Sequence, residues 1–173
     1  MMEKKKKKPL STVATHLPLL TRVFDKSQGA VLELGTGYFS TLYLDWLCSI
    51  FGRKLVSYEC NQNKYKEWGN RALRYKSSYH EVNIIEDWDK ADIKNRHWGL
   101  VLVDHSPRER RAIEAIRIAN NADYVVLHDT EPEAEKYYHY NKVYPHFKYR
   151  YDYKKIKPWT SVVSNFKRLD NMI

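Results

Sequence analysis

Apolar positions recur along this chain at two periods, one helical and one extended, and the two alternate from end to end. Leu17 to Phe24 reads as a short helix opening with Pro18, which is favoured in a first turn because its missing N–H is not needed there. Ala30 to Leu34 is a short apolar strand. Phe39, Leu42, Tyr43, Trp46, Leu47 and Ile50 then recur at helical spacing, and Gly52 sits where a helix C-terminal glycine belongs. Lys54 to Tyr58 predicts a second strand, Asn61 a cap for a helix running to about Arg74, and His80 to Ile85 a third strand. After the polar segment Glu86 to Arg96 comes "WGLVLVD", a continuous apolar run of the kind found in strands covered on both faces.

The second half repeats the alternation. Ser106 and Glu109, with Pro107 between them, have the spacing of a capping box, and Ala112, Ile113, Ile116 and Ala119 supply that helix with a buried face. "YVVLHD" predicts a fifth buried strand, and Thr130 with Glu133 repeats the capping-box spacing ahead of one more helix. Phe147 to Tyr153 and Ser161 to Phe166 alternate as two closing strands. Strand and helix thus follow one another with short connections, the pattern of an α/β fold. It predicts a doubly wound, mostly parallel seven-stranded sheet with an antiparallel closing hairpin and helices on both faces. Residues 1–10 read as a disordered basic tail and residues 11–173 as one domain.

Charge modifies this picture only at the start of the chain. Of the net +9, the Lys4 to Lys8 run less Glu3 contributes +4, and the remaining +5 is too mild to imply nucleic acid. A lysine run before a proline is ordinarily a solvated arm, with attraction to an anionic partner or a nuclear address as the functional alternatives. No apolar run approaches the roughly 18 residues of a membrane span, and no signal-peptide h-region is seen. Two cysteines, Cys48 and Cys60, make no disulfide framework, so a reducing, cytoplasmic setting is expected.

The stretch "AVLELGTGYFSTLYL" places two glycines between the first strand and its helix. In such a sheet ligands bind beyond the carboxyl ends of the strands, and glycines there let backbone approach a ligand. A tight turn alone also needs glycines. Spacing narrows the choice: a dinucleotide fingerprint has a third glycine where Ser40 stands, and Glu59 closes the second strand where a carboxylate accepts ribose hydroxyls. The loop suits a nucleoside better than a diphosphate.

On these residues the chain resembles class I S-adenosylmethionine (SAM)-dependent methyltransferases. "VLELGTGYFST" looks like their first motif, and Glu59 matches their ribose-binding acidic residue. Asp87 and Trp88 of "EDWDK" fall at the usual adenine-contacting position. The resemblance implies that Glu33, Gly35, Thr36, Gly37 and Ser40 surround the donor, with Asp104 on the same rim. "VLVDHSPRERR" and "VVLHDTE" further resemble the catechol-type O-methyltransferases, whose aspartates after the fourth and fifth strands bind a divalent metal. Asp104 and Asp129 match those aspartates, which implies Mg²⁺ or another divalent cation. Thr130 stands where an amide ligand would be, and Pro107 and Arg108 where a catalytic lysine would be.

Two carboxylates that close repel unless a cation, a proton or an arginine lies between them. The sequence offers a metal, His105 or His128, and Arg108 or Arg110. Asp104, His105 and Asp129 are expected on one cavity beside the transferable methyl, with His105 or His128 as the proton acceptor. His16 in "THLP" reads either as part of an N-terminal lid or as a residue near a helix cap. Arg108, Arg110 and Arg111 oppose the dipole of the helix they open, which suggests an anionic partner on the substrate or ordinary solubilising charge. The Tyr-rich run "EKYYHYNKVYPHFKYRYDYKK" is compatible with stacking on nucleic acid, but strand residues beside a helix explain it more simply.

The reading that follows is methyl transfer from SAM to an oxygen or nitrogen of a small molecule, the anionic case included. A nucleic-acid methyltransferase and a non-catalytic SAM-binding module are the alternatives. No membrane partner is expected, and so short a domain leaves its pocket open or completed by a second copy of the chain.

Overall fold

The computed structural model describes residues 13–61, 63, 74 and 76–172. The basic tail and the expected helix after Asn61, except for its two ends, lie outside the described residues.

Helix α1 (Leu17–Lys26) buries Leu19, Leu20, Val23 and Phe24, a stripe at helical spacing, and Pro18 lies in its first turn. Strand β1 (Val31–Leu34) runs into helix α2 (Ser40–Phe51), which ends at Gly52 with φ 63°, the left-handed conformation that only glycine adopts without a steric penalty. The apolar spacing in α2 singles out the wrong face. Leu44, Leu47 and Cys48 point inward with Ser40 and Thr41, while Leu42, Trp46 and Ile50 are 37%, 58% and 57% exposed. A helix apolar on nearly every side gives its moment no direction, and the two small hydroxyls turn inward to hydrogen-bond.

Strands β2 (Leu55–Glu59), β3 (His80–Ile84), β4 (Trp98–Val103) and β5 (Ala122–His128) follow. Between the last two lies helix α3 (Arg110–Ile118), and after β5 a single-turn helix α4 (Glu135–Tyr138). Neither expected capping box forms: α3 begins after Glu109 with no side-chain cap bond, and residues 132–134 form a 3₁₀ turn that is likewise uncapped by a side chain. In α3 the buried stripe is Ala112, Ala115 and Ile118, and Ile113 is exposed. Strands β6 (Tyr149–Tyr153) and β7 (Thr160–Ser164) close the fold.

The sheet has seven strands in the order β3-β2-β1-β4-β5-β7-β6. The first five are parallel, and β7 is antiparallel to both β5 and β6. Successive residues of a strand face opposite sides, so full burial of β4 needs cover on both. Leu100 and Leu102 pack with α1 and α2, whereas Val101 and Val103 pack with Ala112, Ala115 and Ile118 of α3. Strand order reverses between β1 and β4, and the crevice beyond their carboxyl ends is where this architecture holds ligands. Among the described residues no helix is long and apolar enough to cross a membrane.

Candidate active site

The loop after β1 opens a cavity of about 280 Å³ at that crevice, lined by Val13, His16, residues 35–40 and Asp104. Gly35 has φ +93°, and a Cβ on it would stand 2.4 Å from the His105 Cα and 2.6 Å from the Asp104 carbonyl oxygen. Only a glycine lets β1 and β4 run this close beneath the cavity.

Two buried carboxylates fix the loop. Glu33 accepts hydrogen bonds from Thr41 Oγ1 (3.0 Å) and Ser57 Oγ (2.7 Å), and the Gly37 N–H donates to Thr41 Oγ1 at 2.8 Å. Because Ser57 gives its proton to Glu33, His80 Nε2, 2.9 Å away, donates to Ser57. His80 in turn lies 3.4 Å from Asp45 of α2. Glu59 accepts from the Thr36 N–H and hydroxyl, both at 3.0 Å, and from the Asn61 N–H at 2.9 Å. Thus Glu33 and Glu59 engage the loop itself, while Thr36, Gly37 and Ser40 present their surfaces to the cavity.

The far wall is a charged cluster. Arg111, 6% exposed, reaches Asp104 Oδ1 with Nη2 at 2.7 Å and Asp129 Oδ2 with Nη1 at 3.0 Å, and its Nε donates to the His105 carbonyl at 2.7 Å. Tyr138 covers the guanidinium at 4.6 Å and donates its hydroxyl to Asp129 at 2.8 Å. Asp129 itself takes a left-handed backbone, φ 59°, which ends β5 abruptly. The arginine between the carboxylates is therefore Arg111, where Arg108 or Arg110 was expected. Helical rotation decides this: Arg110 turns to Asp89 (2.7 Å) and Glu114 (2.6 Å), and Arg108 lies over the rings of Tyr137 and Tyr138. The anionic partners of Arg110 and Arg111 are the protein's own.

His128 completes the cluster. The Thr15 hydroxyl donates its single proton to the Pro158 carbonyl at 2.8 Å, so His128 Nε2, 3.0 Å from the same oxygen, must donate to it. Its Nδ1 faces Asp104 Oδ2 at 3.3 Å, and a carboxylate only accepts. Each nitrogen thus faces an acceptor, an arrangement that favours the charged imidazolium of His128. Burial works against that charge, but Asp104, and then Asp129, outweigh it and raise the His128 pKa. Burial likewise opposes ionisation of Asp104, yet Arg111 and His128 hold its carboxyl well below the usual range. Two anions thus balance two cations.

A divalent cation between Asp104 and Asp129 does not fit this arrangement, because the Arg111 guanidinium occupies that place. His16, Asp104 and His128 do bring ligand atoms within 4.8 Å of one another. As an imidazolium, however, His128 has no lone pair to give.

Of the three residues expected on one cavity only Asp104 lines it: Asp129 lies behind, on Arg111 and Tyr138, and His105 is fully buried with its ring against Trp88, centroids 4.0 Å apart. Trp88 is buried too, its indole N–H donating to the Ser106 carbonyl at 2.8 Å, and Asp87 caps the short turn beside it. Burial pushes the Cys48 thiol up to about 12, which keeps it protonated, and Cys60 donates to the Ser106 carbonyl. Sequence reasoning missed the bridging by Arg111 and the tether from Thr15 to His128. For the arginine a signal existed, since a cation opposing the dipole in the first turn of α3 follows directly on the loop that the Asp104 carboxylate opens.

The titrations set an expected pH profile. Burial, with His128 next, lowers His16 to about 4, and burial lowers His80 to about 4. Each contributes stability that is present above the unfolded-state value of about 6.5 and is lost as pH falls towards 4. His128, with its raised pKa, contributes stability that is full below about 6.5 and lost as pH rises through its folded value. Stability measured by urea unfolding should therefore peak near pH 6–7 and decline on the acid side by on the order of 1–3 kcal/mol. A profile flat from pH 7 to pH 4.5 would contradict it.

No family model matches the chain, and no curated protein matches it. Its likeness to known proteins lies in the fold. It is similar to the bifunctional kinase-methyltransferase WbdD, with 17% identity, 91% of this chain and 40% of that chain covered, and a TM-score of 0.61. It is similar to the methyltransferase domain of METTL16, with 10% identity, 93% and 88% covered, and a TM-score of 0.62. For a methyltransferase from Pyrococcus furiosus the values are 13%, 96% and 89%, and 0.59. The chain spans about two fifths of the WbdD chains it matches. The chain thus shares the α/β fold of these methyltransferase structures, with the hairpin β6–β7 closing the sheet as expected.

Proposed function

We propose that the protein binds SAM in the cavity beneath the Gly35–Ser40 loop and transfers its methyl group to an oxygen or nitrogen of a small molecule. The observation that carries this reading is the position of that cavity. It opens at the switch point between β1 and β4, with a glycine loop on one side and Asp104 on the other. Loop N–H groups and the strand-end carboxylates suit the amino-acid and ribose ends of the donor. For ribose to reach Glu59, its hydroxyls take over the place of the Thr36 hydroxyl. Methyl transfer is an in-line displacement at a sulfonium, so the protein's main tasks are alignment and removal of the acceptor's proton.

Calorimetry with S-adenosylhomocysteine and with NAD tests donor binding. S-adenosylhomocysteine is expected to bind and NAD not to, because Ser40 stands in place of the third glycine of a dinucleotide loop. Glu59→Ala should weaken S-adenosylhomocysteine binding by about 1–3 kcal/mol, through loss of hydrogen bonds to a charged group. NAD binding without a response to S-adenosylhomocysteine would overturn the proposal. Formation of S-adenosylhomocysteine from SAM across a panel of phenols, alcohols and amines reports turnover, and tight binding with no turnover favours a non-catalytic module.

A further inference from the structure

The charged wall of the cavity leaves one titratable group uncommitted. Asp104 is bound by Arg111 and His128, and Asp129 by Arg111 and Tyr138. Both nitrogens of His128 face acceptors, and the Arg111 guanidinium has no lone pair. His16 differs. It is 2% exposed, it lines the cavity beside Asp104 and the glycine loop, and among the described residues neither of its ring nitrogens has a hydrogen-bond partner. A buried imidazole with no partner is costly and calls for one. Its ring meets that of His128 edge-on, with centroids 4.7 Å apart. Thr15, tied to His128 and to the Pro158 carbonyl, holds the segment in place.

We infer that His16 is the proton acceptor of the methyl-transfer site, and that the acceptor molecule brings a proton there as an uncharged hydroxyl or amine. The inference rests on the proposal that SAM binds in this cavity. As the nucleophile's lone pair forms its bond to the methyl carbon, the carbon–sulfur pair returns to sulfur, which becomes a thioether. The O–H or N–H pair stays on the nucleophile, and the proton moves to the lone pair of His16. A carboxylate or phosphate acceptor would have no proton to give, and the balanced charges behind His16 offer such an anion no net attraction.

The groups that face His16 are His128 from β5, Asp104 from the end of β4, Asp129 beyond β5 and Arg111 from α3. Burial and the His128 cation keep the His16 ring neutral at pH 7, so its lone pair is present when the acceptor arrives. Asp104 then lies next to the imidazolium formed and stabilises it until the proton leaves to solvent. Neither His105 nor His128 fills this role: the first packs tilted against Trp88 and does not line the cavity, and both nitrogens of the second face acceptors.

Sinefungin, the donor analogue whose amine stands where the transferable methyl is, points an N–H donor towards the acceptor's side of the site. Calorimetry of the full chain with sinefungin and with S-adenosylhomocysteine should show sinefungin binding more tightly. His16→Ala should lower sinefungin affinity about tenfold, the effect of one hydrogen bond to a charged group, while S-adenosylhomocysteine affinity stays within about twofold. His16→Gln, whose amide oxygen still accepts, should recover part of the loss. An unchanged sinefungin preference in His16→Ala would overturn the inference and leave donor binding standing. Failure of the wild-type protein to bind either ligand would overturn the donor proposal itself. If His16→Ala does not fold, histidine-ring NMR of the wild-type protein decides: the His16 resonances should shift with sinefungin, and unmoved resonances would overturn the assignment.

Discussion

Arg111→Met is expected to lower the unfolding free energy by about 3–5 kcal/mol, the usual cost of removing one partner from a buried ion-pair network. Arg111 is the single group that touches Asp104, Asp129 and the His105 carbonyl at once, so its loss strands two carboxylates and a backbone acceptor together. Methionine fills much of the volume, which leaves charge rather than a cavity as the cause. The remaining His128 cation balances only one carboxylate, so the variant should take up more protons on folding near neutral pH than the wild type, and its stability should fall more steeply as pH rises. Arg111→Lys keeps the charge but cannot fork to three oxygens, and its loss should fall between the two. Urea unfolding measures all three proteins. A loss below about 1 kcal/mol for Arg111→Met would show that the cluster is solvent-screened like a surface ion pair.

The second large effect belongs to Gly35→Ala. The new Cβ would meet the His105 Cα at 2.4 Å, the Asp104 carbonyl oxygen at 2.6 Å and the His105 Cβ at 2.7 Å, on a backbone with φ +93°. Two of these atoms are backbone, one residue or two beyond the end of β4, and cannot swing aside as a flexible side chain could. Overpacking and left-handed strain together should remove about 3–5 kcal/mol. Relief must come from parting β1 and β4 at their carboxyl ends, so S-adenosylhomocysteine binding should fall in whatever fraction remains folded. Gly37→Ala is the control, since its nearest atom is the Ser40 hydroxyl at 3.7 Å. Equal losses at the two positions would show that the loop, not the strand contact, sets the cost.

Much of this architecture was legible because parallel strands buried on both faces read as unbroken apolar runs. "WGLVLVD" and "YVVLHD" lie at β4 and β5 within a residue or two. The loop after β1 was legible because glycine is required by geometry, and Gly35 shows that geometry. The inward face of α2 was not, because Leu42, Trp46 and Ile50 are as apolar as the residues it buries. Capping boxes at Ser106 and Thr130 failed for another reason. The chain at Thr130 is committed elsewhere: the Thr130 N–H donates to the Trp159 carbonyl, and its hydroxyl donates to Ser161, whose own proton goes to Asp152. At the site, spacing brought Asp104 and Asp129 to one rim, but not which side chain would lie between them. That depends on the rotation of α3 by a single residue, which period alone cannot resolve. His16 lies in a segment whose place over the cavity is set by Thr15, 113 residues from its partner His128. No local pattern encodes such a pairing.

The hydrogen bonds from His80 through Ser57 and Glu33 to Thr41 and the Gly37 N–H run from the outer strand of the sheet to the cavity without a gap. The loop's shape is therefore maintained from below, by groups that no ligand touches. Binding energy that a floppier loop would consume in becoming ordered remains available for affinity and alignment. It also makes the far edge of the sheet a tuning point, where a change at His80 alters how the loop is held while leaving every cavity-lining side chain as it was.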